Sequence, residues 1–109
     1  MNKYPVYASQ TDRQCAAALV SLCLKGGNTI SVWDGEDFAI KRSSSKLDIL
    51  KEMSSTGEDR LHVFDEHGNE LGRFYLIYNN GTSHMELIAD HVANDWCEGI
   101  WNALEKKFG

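Results

Sequence analysis

Proline, cysteine and long apolar runs are all scarce in this chain of 109 residues, and each scarcity removes a class of protein. With Pro5 as the lone proline and nine glycines, the chain is neither collagen-like nor low-complexity. Cys15, Cys23 and Cys97 are odd in number, widely spaced and without a CxxC pair, which argues against a disulfide framework and for reduced, buried thiols. The opening MNKYPVYASQTDRQ lacks the uninterrupted apolar core of a signal peptide. The longest apolar helical stretch, Cys15 to Leu24, is about half of what a membrane span requires. The expectation is a soluble, cytoplasmic protein without membrane contact.

Basic residues are in deficit as well, 11 Lys and Arg against 16 Asp and Glu, for a net charge of −5. Phosphate neutralisation needs a basic face, so neither direct nucleic-acid binding nor docking on anionic lipid is expected. No P-loop, GxGxxG or GxSxG sequence occurs, and no cofactor is expected.

What is present is ordinary globular material: 42% hydrophobic and 25% charged residues, enough for one core in one domain spanning 1–109. Its centre is the stretch Arg60 to Asp90, which reads as three strands and two turns. Asp65-Glu66-His67-Gly68-Asn69 separates Leu61 to Phe64 from Leu71 to Tyr78. Asn79-Asn80-Gly81-Thr82 separates that long strand from Met85 to Ala89. Gly and Asn supply the positive φ of tight turns, so sequential antiparallel pairing is predicted. Phe74, Leu76 and Tyr78 alternate with Arg73, Tyr75 and Ile77, as in a central strand with one strongly buried face. Met85, Leu87 and Ala89 alternate with His84, Glu86, Ile88 and Asp90.

Upstream, Asp34-Gly35-Glu36 between Asn28 to Trp33 and Asp37 to Arg42 is a strong hairpin signal. Ile30 and Val32 are expected to share one face, as are Phe38 and Ile40. Tyr4 to Tyr7 is expected to be extended, because Pro5 biases its predecessor away from helix. A helix follows over about 11 to 25, capped by Thr11 or Ser9 and ended by Gly26-Gly27. A second runs from Lys46 to Ser54 behind a Ser43 to Ser45 cap, with Leu47, Ile49, Leu50 and Met53 on its apolar stripe and Gly57 as its stop. The last carries Cys97, Ile100, Trp101, Leu104 and Phe108 on one stripe, with Asp95 as cap and Glu98 as its partner. The fold class is therefore α+β, in the order α-ββ-α-βββ-α, with a mainly antiparallel sheet of about five strands.

Chemistry is thinly marked. Asp34, Glu36, Asp37, Glu58, Asp59, Asp65, Glu66, Asp90 and Asp95 fall at turns and caps, where local hydrogen bonding already explains them. His62, His67, His84 and His91 lack the close pairing of a metal chelate, although His91 and Cys97 are near enough in sequence to be weighed as one. No metal site is expected. Cys97 stands in the first turn of a helix, a position that can activate a thiol, but also on the apolar stripe.

The aromatic residues are the remaining lead. Trp33, Tyr75, Trp96 and Trp101 are the candidate interface residues, since Trp and Tyr bury much area at few torsions. A non-enzymatic module acting through association with a partner protein, or with itself as a homodimer, is the leading expectation. An acidic inhibitor that mimics nucleic acid, or a small enzyme using histidine and carboxylate groups, is the alternative.

Overall fold

A computed structural model of the chain describes residues 3–109; Met1 and Asn2, at the head of the stretch read for a leader, lie outside them. The elements run α1 (Gln10–Leu24), β1 (Thr29–Trp33), β2 (Phe38–Ser43), α2 (Lys46–Glu52), β3 (Glu58–Phe64), β4 (Glu70–Ile77), a 3-10 turn (His84–Leu87), β5 (Ile88–His91) and α3 (Asp95–Phe108). The five strands form one antiparallel sheet in the order β2-β1-β3-β4-β5, so the predicted α+β class and element order hold. No helix among the described residues is long and apolar enough to cross a membrane.

Each boundary has a local cause. Ser9 caps α1 by accepting from the Asp12 N–H, and Gly26 and Gly27 take positive φ just beyond its end. Asp34 accepts from the Glu36 and Asp37 amides and so closes the first hairpin, with Gly35 at φ 104°. Asp65 does the same for His67 and Asn69 in the second. Ser45 caps α2, as the serine run predicted. That helix ends earlier than Gly57, because Met53 turns extended and Ser54 takes φ 63°.

The helices lie on one side of the sheet. α1 packs between α2 and α3, while α2 meets β1 and β2 and α3 meets β4. Leu19, Val20, Ile30, Val32, Ile49, Leu61, Val63, Phe74, Leu76 and Leu104 are fully buried between these two layers. Alternation decides which strand residues join them: Leu61 and Val63 on β3 and Phe74 and Leu76 on β4 point inward, and their neighbours point out.

Five expectations need correction. Asn94, not Asp95, caps α3, its Oδ1 accepting from the Cys97 amide. Tyr4 to Tyr7 forms a turn, closed by the Ala8 amide donating to the Pro5 carbonyl. Arg13 donates to the Pro5 and Val6 carbonyls and holds it. Leu47 is 54% exposed, because α2 is only seven residues long and seats Ile49, Leu50 and Met53 instead. Phe38 parts from Ile40, since register shifts between β1 and β2 set it beside Trp33 on the far face.

The last correction concerns β5, which was expected over Met85 to Ala89 after a tight turn. Asn79 does take φ 58°, but its amide donates to Asp12 at 2.7 Å and its side chain accepts from the Ser9 amide. The chain is thereby drawn over the start of α1. A 3-10 turn delivers Leu87 into the core, and pairing with β4 starts at Ile88, which is buried as well.

Candidate functional site

Among the described residues no helix packs on the outward face of the sheet. Cross-strand register aligns Phe38 with Trp33, Trp33 with Arg60, Arg60 with Tyr75, and Tyr75 with Asp90. One row of side chains thus crosses all five strands. A second row places Ser31, His62 and Arg73 beside it. The first row, with His62 and Arg73 of the second, Phe74 of β4, and His91 and Val92 at the β5 edge, lines a concavity of about 550 Å³. That volume is in the range of pockets that hold small ligands or inserted side chains.

The floor is aromatic and ordered by edge contacts. Phe38 meets Trp33 at 4.9 Å between ring centroids and His62 at 5.7 Å, both near-perpendicular. Cations lie over rings on the same face: Arg60 at 5.1 Å from the centre of Tyr75, Arg42 at 4.4 Å from Phe64 and Lys41 at 5.7 Å from Phe38. The left-handed backbone at Arg42, φ 44°, marks the irregularity of β2 that brings both Lys41 and Arg42 to these rings. Among the described residues none of these three cations has a carboxylate within ion-pair distance.

Glu70, Arg73 and Glu58 each have a side-chain partner on this face. Glu70 forms a two-point ion pair with Arg73, which holds the Glu70 carboxyl below its ordinary range and the guanidinium above its own. Tyr75 donates its phenol to Glu58, and that bond pushes the Tyr75 pKa up. Burial, with Arg73 and Arg60 nearby, lowers the His62 pKa against the opposing pull of Glu70.

The four candidate interface residues divide between two places. Trp33 and Tyr75 stand in the row on the open face. Trp96 and Trp101 belong to α3 and pack against the core, Trp96 tilted at 6.1 Å from Phe74 and Trp101 at 5.6 Å from His91. A Cβ at Gly72 would strike the Cys97 sulfur and lie 3.1 Å from the Trp96 ring, so Gly72 lets the start of α3 close on β4. Arg60, Arg73 and Phe38, which were not singled out from sequence, complete the face together with His62, which was weighed only as a metal ligand. Their signal was the alternation of Arg60, His62 and Phe64 with Leu61 and Val63, which puts basic and aromatic groups together on one side.

The other candidates disperse. Asp34 and Asp65 serve their turns, and the amides they accept lower both pKa values. His84 bonds Gln14 and stacks on Phe108 at 4.3 Å, far in sequence from the row. His67 contacts Glu66 at the surface. Cys97 is buried under Gly72, and His91 bonds the Val92 carbonyl through Nδ1. Among the described residues no three His, Cys, Asp or Glu side chains converge as metal ligands. Burial raises all three thiols, Cys15 to about 12, and none has the exposure of a nucleophile. No protein-family model, curated protein or solved structure matches the chain.

Proposed function

We propose that this protein is a non-enzymatic association module whose open sheet face docks an acidic segment of a partner protein. The observation that carries this reading is the row Phe38, Trp33, Arg60, Tyr75 and Asp90 across an uncovered sheet, flanked by cations that rest on rings and lack carboxylate partners. Trp, Tyr and Arg are the side chains that dominate interface energies, because each buries much area or several hydrogen bonds at one point. Lys41, Arg42, Arg60 and Arg73 gather on this face while most of the 16 acidic residues lie elsewhere, so the face is basic relative to the chain around it. An acidic segment is attracted there more than to the acidic surface around it, which favours docking on this face.

A polypeptide suits the face better than a nucleic acid. Asp90 ends the row and Glu58 and Glu70 stand beside its cations, so an unbroken phosphate backbone would meet three carboxylates. A peptide can place an acid over Arg60 and an uncharged or basic residue over Asp90.

A random library of short peptides, displayed and selected on the immobilised protein, tests the reading. Acidic sequences should be enriched, and their affinity should fall about tenfold or more in Arg60→Glu. Enrichment of neutral or basic peptides, binding indifferent to Arg60→Glu, or displacement of the selected peptides by single-stranded oligothymidine at equal concentration would each overturn it. Self-association measured by light scattering, lost in Arg60→Glu, would replace the partner with a second copy.

A further inference from the structure

A separate surface on the helical layer has its own chemistry. α1 lies between α2 and α3, and its outward residues Gln14, Ala18, Ser21, Leu22 and Lys25 are mostly small or apolar. With Ala103 and Phe108 of α3 on one side and Lys46 of α2 on the other, they form a trough of about 500 Å³ open along its length. The floor is recessed because Ala17, Ala18, Ser21 and Ala103 have little side chain.

Its rim is formed by Lys25, Lys46 and Lys107, and no carboxylate lines it among the described residues. In a chain with 16 acidic and 11 basic residues that is a marked local reversal. Lys46 donates to Ser21 at 2.6 Å and Lys107 lies 5.6 Å from the centre of Phe108; neither these two nor Lys25 takes part in an ion pair among the described residues.

We propose that this trough is a second docking site, one that receives an amphipathic helix of a partner protein with acidic residues along its flanks. The walls are helices whose backbone groups are bonded internally, so an incoming strand would find no edge to pair with. An incoming helix satisfies its own backbone. Small residues on the floor allow its axis to approach to about 8–10 Å, and the lining from Gln14 to Lys25 gives roughly 17 Å of contact length, sufficient for apolar anchors at i, i+4 and i+7. The flanking acids then meet the three lysines. A single acyl chain in so open a trough would leave much of its surface in water, which disfavours a lipid carboxylate.

The test is an amide-shift NMR titration of the whole protein with a synthetic helix of leucine anchors and glutamate flanks, alongside the same peptide with lysine flanks and with laurate. The acidic peptide should shift α1, Lys46 and residues 103–108, and the lysine-flanked peptide should not. Charge reversal in Lys25→Glu/Lys107→Glu, both at the surface, should weaken binding about tenfold, and Ala18→Leu, which fills the floor, should weaken it independently of charge. Arg60→Glu should leave it unchanged, so this site and the sheet face fail or succeed separately. No shift at millimolar peptide, shifts confined to the open sheet face, equal binding of the lysine-flanked peptide, or saturation by laurate instead of peptide would overturn the proposal.

Discussion

Asp59 is the residue whose environment departs furthest from its sequence context. It stands between Glu58 and Arg60 in a charged stretch, yet it is 1% exposed. Its Oδ2 accepts from the Ser54 amide at 2.8 Å and the Tyr78 phenol at 2.5 Å, while Oδ1 has no partner. Burial raises its pKa to about 6 against the pull of those two bonds, with Asp34 and Glu58 adding to the rise. Because the folded value exceeds the unfolded one, the stabilising contribution is complete below about pH 4 and is lost as pH climbs through about 6. Asp34, Asp65 and Glu70, with lowered values, act oppositely and lose their contribution as pH falls. Urea denaturation of the wild type and Asp59→Asn at a series of pH values separates the two, since the lowered groups are common to both proteins. The stability difference should swing by on the order of 1–2 kcal/mol toward the variant between pH 4 and 7, and a flat difference would show that Asp59 does not titrate in that window. The sequence pattern places this carboxylate in a turn ahead of a strand starting at Leu61; β3 in fact starts at Glu58, and the strand's alternation turns Asp59 inward.

Among the elements, legibility followed how local the cause was. The hairpins closed by Asp34 and Asp65 and the caps at Ser9 and Ser45 depend on side chains bonding amides two to four residues away, and all four were readable. β5 was not, because the segment before it is held by Asp12 and Ser9 some 70 residues upstream, contacts that no window of sequence contains. The cap of α3 lies between these cases. Asp95 and Glu98 have capping-box spacing, but Asn94 is the cap: its Oδ1 accepts from the Cys97 amide at 2.8 Å and its Nδ2 donates to the Leu71 carbonyl at 3.0 Å. That second, long-range bond decides the position, since Asp95 one residue later cannot reach β4. Asn94→Ala should therefore cost about 1–2 kcal/mol, and Asp95→Ala, which removes only a favourable charge near the helix start, about 0.3–1 kcal/mol. Thermal or urea unfolding of the two variants gives the order directly, and the reverse order would return the cap to Asp95.

For the whole molecule, the division of its aromatic residues between core and open face is the feature with functional weight. Sequence placed Trp33, Tyr75, Trp96 and Trp101 together as interface residues; a two-layer fold has only one uncovered sheet face, and strand alternation sends the first pair there while the helix stripe sends the second pair to the core side. The two pairs should then separate stability from binding. Trp96→Ala and Trp101→Ala remove rings packed on Phe74 and His91 and should each cost about 2–3 kcal/mol, with peptide binding intact while the protein stays folded. Trp33→Ala and Tyr75→Ala remove half-buried cross-strand partners on the open face, away from the core, and should each cost less, about 1 kcal/mol. If the open face docks a peptide as proposed, each should also weaken selected peptides about tenfold. Urea denaturation and peptide binding by anisotropy, measured on the same four variants, place each residue on both axes. If truncating Trp33 or Tyr75 destabilises the fold as much as truncating Trp96 and leaves peptide affinity alone, the row is part of the scaffold and the association surface must be sought on the helical side.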